Sequence, residues 1–139
     1  MEANIQLIDN YIEDSNIHVN ELNVPEEAEM NYSIEVYISD IIREEKYLMA
    51  QIKLTHTVEL EKEKQNLYAI NATIVGEFKI CDIKDEKKCE EILKYNGVPI
   101  LSSILRAYMI SVASLAGIKN VTFPIINYVD FFKEAKKEK

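Results

Sequence analysis

The side chains with the chemistry for catalysis or metal binding are few: two histidines, His18 and His56, two cysteines, Cys81 and Cys89, and four serines in one segment, Ser102, Ser103, Ser111 and Ser114. A general base has to reach a nucleophile and be oriented by a third group. The histidines are far apart in sequence, and His56 falls on the apolar phase of an alternating segment, where an imidazole reads as a satisfied core or interface residue. The serines sit inside an apolar helical pattern with no glycine elbow, so none is set up as a nucleophile. The carboxylate pairs Glu44-Glu45 and Glu90-Glu91 belong to charged turns and read as solvated surface. The cysteines form no CxxC pair and have no neighbouring histidines, so no zinc-ligand spacing exists, and both are expected to be reduced thiols. With only Gly76, Gly97 and Gly117 in the chain, no glycine-rich loop can cradle a phosphate. The sequence predicts no catalytic residues, no metal and no cofactor, which leaves binding as the expected activity.

Composition narrows what could be bound. The 139 residues are 47% hydrophobic, which suits a single domain over residues 1–139 with a sizeable core. A net charge of −8 leaves no basic face to displace counterions, so nucleic acid is excluded as a partner. The lysines Lys133, Lys136, Lys137 and Lys139, interleaved with Glu134 and Glu138, are ordinary helix-end composition. Met1-Glu2-Ala3-Asn4 lacks the basic and apolar regions of a secretory signal, and a cytoplasmic protein is expected.

The positioning elements follow from periodicity. Ile5 to Val19 reads as a strand made irregular by Asp9-Asn10 and Glu13-Asp14-Ser15-Asn16. Glu21 to Glu29, with Pro25 and four glutamates, reads as a surface crossover loop. From Tyr32 the period is two: Tyr32, Ile34, Val36 and Ile38 share a face, and Ser33, Glu35, Tyr37 and Ser39 the other. After a charged turn at Arg43-Glu44-Glu45-Lys46, the alternation resumes from Leu48 to Val58 and again from Tyr68 to Ile80. Four antiparallel strands in one sheet, wetted on one side, are expected.

Asp82 to Tyr95 carries a short amphipathic pattern that leads into a long helix. Pro99 occupies the helix's first turn, where a missing N–H costs little, and Gly117 supplies its C-terminal stop. Ile100, Leu101, Ile104, Leu105, Tyr108, Met109, Val112, Leu115 and Ala116 form a broad stripe expected to lie on the sheet. The opposite face offers Ser103, Arg106, Ile110, Ala113 and Ser114, with little charge. A helix without a charged outer face is expected to be buried again against another subunit, so these five residues are the predicted oligomer interface. Val98 to Ile118 is long enough to span a bilayer, but an arginine near the centre costs about 2.5–3.5 kcal/mol on insertion scales, and no membrane insertion is expected. Asn127 is positioned to cap a second helix whose Tyr128, Phe131 and Phe132 form an aromatic face beside Phe123.

The ordered residues Arg106, Ile110-Ser111, Thr122-Phe123-Pro124, Asn127, Tyr128 and Phe131-Phe132, following a four-strand pattern, resemble the SecB export chaperone family across nearly the whole chain. The resemblance implies an α+β fold: a four-stranded antiparallel Greek-key sheet covered on one face by a long helix and a shorter C-terminal helix. It also implies assembly through the long helix and an edge strand into a homotetramer, a dimer of dimers. Members hold unfolded client polypeptides, without ATP, in apolar grooves built from the crossover loop, the second strand and the second helix. Carried over, the peptide-binding residues are Tyr32, Ile34, Val36, Phe123, Tyr128 and Phe132.

Two departures bear on partners. Export chaperones of this kind engage the SecA motor through an acidic sheet face and a C-terminal tail. Here Asp14 fits the first-strand acidic position, but Asn71 and Ala69 fall where an acidic residue and a leucine are called for, and Glu134 to Lys139 leaves no room for the tail. Both count against SecA and toward a chaperone of one dedicated client, such as an antitoxin. Two further readings are a protein that holds a lipid or acyl group under the sheet and an assembly adaptor.

Overall fold

The computed structural model describes residues 4–119 and 123–137, so Thr122 of the family-like pattern lies outside the described residues. Strands β1 (Asn4–Val19), β2 (Glu29–Ile38), β3 (Ile42–Arg43), β4 (Tyr47–Lys62) and β5 (Gln65–Cys81) form one antiparallel sheet. The order is β1-β5-β4-β2, so the chain crosses from one edge to the other between β1 and β2, then returns by hairpins, which is a Greek key.

The expected four strands are present, and β3 is an addition. The charged turn predicted at Arg43 to Lys46 starts one residue late, because Ile42 pairs with Met49 and Arg43 with Leu48, continuing the line of β2 along β4. Arg43 is anchored there by its guanidinium, which donates to the Lys84 carbonyl at 3.0 Å and to Glu86 at 3.3 Å.

The irregularity read in β1 is two register shifts, between Leu7 and Asp9 and between Ile12 and Asp14. Each bulge changes the parity of the side-chain alternation. Ile5, Leu7, Ile12, Ile17 and Val19 therefore all pack toward the core, although the steps from Leu7 to Ile12 and from Ile12 to Ile17 are odd-numbered.

The helical layer differs from expectation in one respect. The lead-in segment and the long helix are a single run of 30 residues, Glu86–Leu115. It consists of α1 (Glu86–Ile92), a π turn over Leu93–Gly97, and α2 (Val98–Leu115). Pro99 has no N–H to give and its ring crowds the carbonyl four residues back, while the Val98 N–H reaches Leu93, five back. Widening one turn accommodates the proline without ending the helix.

By length and composition this helix could cross a membrane, but Val98, Leu101, Leu105, Met109 and Ala113 are buried and α2 packs on β4 and β5. The buried stripe is narrower than predicted: Ile100 is exposed, Leu115 is 87% exposed and Ala116 is also open to solvent. A single flat partner can cover only one line of a cylinder. Contact is close where α2 crosses β5, since a Cβ added at Gly76 would lie 2.6 Å from Leu101 Cδ2.

Gly117 ends α2 as expected, with φ of 91°. Its N–H donates to Ser114 and that of Ile118 to Ala113, a Schellman closure that only a residue at ease in the left-handed region completes without strain. Asn127 caps α3 (Tyr128–Lys137), its Oδ1 accepting from the N–H groups of Val129 and Asp130 at 3.1 and 3.3 Å.

Candidate functional site

An open cleft of about 360 Å³ lies between β2 and α3. Tyr32 and Ile34 form one wall; Ile126, Asn127, Asp130, Phe131 and Glu134 form the other. On α3 these positions recur at i, i+3, i+4 and i+7 from Asn127, one face of a helix, with Phe131 as the apolar centre and two carboxylates at its rim. β2 pairs with β4 on one side, and among the described residues no strand pairs with its other edge. Unfilled backbone donors and acceptors thus run beside an apolar slot, an arrangement that takes an extended chain by strand addition with alternate side chains in the slot.

Of the six predicted peptide-binding residues, Tyr32 and Ile34 line this cleft. Val36 is half-buried further along β2 and does not border it. Phe123 and Tyr128 are 1% and 5% exposed, part of the subunit's own core. Phe132 turns away, its ring edge-on to Tyr95 at 5.8 Å. Sequence reasoning overlooked Phe131, Ile126, Asp130 and Glu134 as lining residues, although the spacing of Asp130, Phe131 and Glu134 was there to be read.

Beneath the cleft runs a chain of hydrogen bonds, buried at its centre and part-buried at both ends. Tyr32 Oη is 2.7 Å from His56 Nδ1, His56 Nε2 is 3.3 Å from Tyr128 Oη, and Tyr128 Oη donates to Ser102 Oγ at 2.8 Å. Because Tyr128 donates to Ser102, its oxygen is free to accept, which assigns the proton on His56 to Nε2 and makes Nδ1 the acceptor for Tyr32. One direction runs through all three bonds. His56 is 1% exposed, and burial lowers its pKa to about 4, so the ring is neutral at ordinary pH. Burial raises the Tyr32 phenol as well, with Tyr128 adding to the rise and Arg106 opposing it. Burial also raises Tyr128, while its bond to Ser102 opposes the rise.

A neutral imidazole whose two nitrogens are both engaged, between phenols held protonated, has no free position from which to take a substrate proton. This is the satisfied core histidine that its apolar phase implied. Cys89 is equally unsuited to attack: burial foremost, with Glu86 and Glu90, pushes its thiol to about 11. The lipid reading meets an obstacle in the packing. Leu101 fills the space over Gly76, and the described cavities are surface clefts rather than a chamber between sheet and α2.

The five residues predicted for an oligomer interface separate into two groups. Ser103 and Ser114 are exposed and Ile110 is half-buried on α2. Arg106 is half-buried and its Nε donates to the Phe123 carbonyl at 3.0 Å, tying the connector to the helix. Ala113 does not belong to the outer face: it is fully buried, because it continues the stripe of Leu105 and Met109 at four-residue steps. In its place the exposed surface of α2 presents Ile100, Ala107, Ser111 and Leu115.

A Greek-key sheet crossed by one long helix, with a short second helix beside an edge strand, is the fold of SecB-like chaperones. No family model and no curated protein matches the chain by sequence. By structure it is similar to Mycobacterium tuberculosis Rv1957, a SecB-like chaperone in complex with a ChAD peptide from the Rv1956 HigA1 antitoxin. The TM-score is 0.67 over 88% of this chain and 91% of that one, at 13% identity, so it is the fold that the two share.

Proposed function

We propose that the protein is an ATP-independent holdase that takes extended, unfolded polypeptide segments into the cleft between β2 and α3. The observation that carries this reading is the pairing, in a SecB-like fold, of an unpaired strand edge with an apolar slot around Phe131. Main-chain bonds to β2 require no particular client sequence, and burying client apolar surface contributes about 25 cal/mol per Å². The net charge of −8 keeps the loaded complex soluble and favours basic clients.

A dedicated client is favoured over general export. The structurally similar protein is described with an antitoxin peptide. On the outer sheet face, where docking to SecA calls for an acidic residue, the Asn71 amide is engaged with Thr57 Oγ1 at 2.6 Å. The test is suppression of aggregation of an unrelated unfolded protein at equimolar ratio without nucleotide. Phe131→Ala is expected to weaken client binding about tenfold or more while the fold persists. Absence of suppression by the wild-type protein would sink the holdase reading.

The same reading includes self-assembly through the outer face of α2, into a dimer of dimers. Support comes from its exposed Ile100, Ala107, Ser111 and Leu115, with Arg106 the one charged residue on α2. Ser111→Arg, a surface change that leaves the core intact, is expected to lower the sedimentation coefficient to that of a smaller species. An unchanged profile would remove this face from the interface.

A further inference from the structure

Tyr128 holds an unusual position in the tertiary structure. Among the described residues, apart from the local Asn127 cap, every side-chain hydrogen bond from α3 to the rest of the protein passes through its hydroxyl, to His56 and to Ser102. No ion pair joins α3 to the sheet among those residues. The remaining hold on α3 is apolar and aromatic: Tyr128 sits in the core cluster, Phe131 and Phe132 pack against it, Phe132 meets Tyr95 edge-on at 5.8 Å, and the Lys94 ammonium lies 5.8 Å from the Phe132 ring centre. Ring contacts of this kind tolerate sliding over a broad range of geometries, whereas a hydrogen bond is confined in both distance and angle. In some proteins a single buried polar link serves to fix register rather than to add stability, and the directional bonds of Tyr128 are placed to do so here.

The other end of the chain is equally placed. Tyr32 stands in the opposite cleft wall, and its ring meets His56 edge-on at 5.5 Å. His56 on β4 therefore bonds to both elements that bound the cleft: to β2 at Tyr32, itself a lining residue, through Nδ1, and to α3 at its first residue Tyr128, behind the lining, through Nε2. Its imidazole is the sole hydrogen-bonded bridge between them among the described residues. A leucine in its place would fill similar space and make neither bond.

We infer that His56 is a positioning residue for the client cleft, setting the separation of β2 and α3 and thereby which client side chains the cleft admits. This rests on the holdase reading above and adds to it the determinant of selectivity. With the bridge intact, the slot beside Phe131 has one width and prefers a client side chain that fills it. Without the bridge, α3 slides on its aromatic contacts and the slot accepts large and small side chains with similar affinity.

The experiment uses the full chain and two fluorescein-labelled extended peptides that differ only in a central Phe or Ala. Wild-type protein is expected to prefer the Phe peptide. In His56→Leu, and independently in Tyr128→Phe, the preference is expected to fall about tenfold. Backbone amides of α3 are expected to exchange faster while those of β4 and β5 keep their protection. A merely structural role would loosen the sheet and α3 together, so faster exchange throughout overturns the proposal, as does an unchanged Phe-over-Ala preference in both variants. Should His56→Leu fail to fold, Tyr128→Phe, which removes one hydroxyl, still decides it. If the wild type binds neither peptide, the holdase reading itself falls and this inference with it. If it binds both and neither variant changes the ratio, only this inference falls.

Discussion

Phe78→Ala is expected to destabilise the protein by about 3–5 kcal/mol. Phe78 is fully buried on β5, paired with Leu7 on β1 and with Ala50 on β4. A central strand bonded on both sides cannot move inward to fill the space the ring leaves. Two residues away on the same face, Leu101 is already pressed onto Gly76, so α2 has little room to settle further. The cavity should therefore persist, which is the condition for the upper part of the range. Urea denaturation at fixed protein concentration would show a lower midpoint with an unchanged slope. A loss below about 1 kcal/mol would mean that the helix is not seated on β5 at this point.

Acid is expected to weaken the wild-type protein more than a His56→Leu variant, by about 3 kcal/mol between pH 6.5 and pH 4. The sign follows from proton binding. Unfolded, His56 takes up a proton below its ordinary value of 6.5; folded and buried, it does so only below about 4. Between those values the unfolded state binds more protons, so stability rises with pH through the window and is lost as pH falls through it. The carboxylates that titrate in the same range are common to both proteins and cancel in the difference. Parallel stability-versus-pH curves for the two would show that His56 is not held neutral by burial.

Much of the fold was legible in local pattern. The two-residue alternation placed Leu48 to Val58 and Tyr68 to Ile80 on strands because one face of each is dry. The polar interruptions in the first strand marked its bulges, and Gly117 and Asn127 marked a helix end and a helix start. Each of these signals acts within a few residues, through side-chain phase or through backbone groups that a neighbouring residue must satisfy. The β3 pairing and the fusion of the Asp82 to Tyr95 lead-in with α2 were not legible. Both depend on which backbone groups a distant strand or an added π turn satisfies.

The candidate site was legible in part. Tyr32 and Ile34 share a face as their strand phase required, and both border the cleft; His56 is the satisfied core residue that its phase implied. Phe123 and Tyr128 share the aromatic composition of Phe131, and nothing local separates a ring that fills the core from one that lines a slot. Ala113 was legible too: it follows Leu105 and Met109 at four-residue steps and so shares their buried arc, and only its small size suggested the outer face.

What the amino-acid sequence determined by itself was the class and order of the main elements and a net charge of −8, with no glycine-rich or metal-ligand spacing in its pattern. The tertiary structure alone decided which aromatic rings close the core, and that His56 bridges β2 and α3. His56 and Tyr128 are 72 positions apart, and a hydrogen bond over that span exists only after the sheet has paired and α3 has docked.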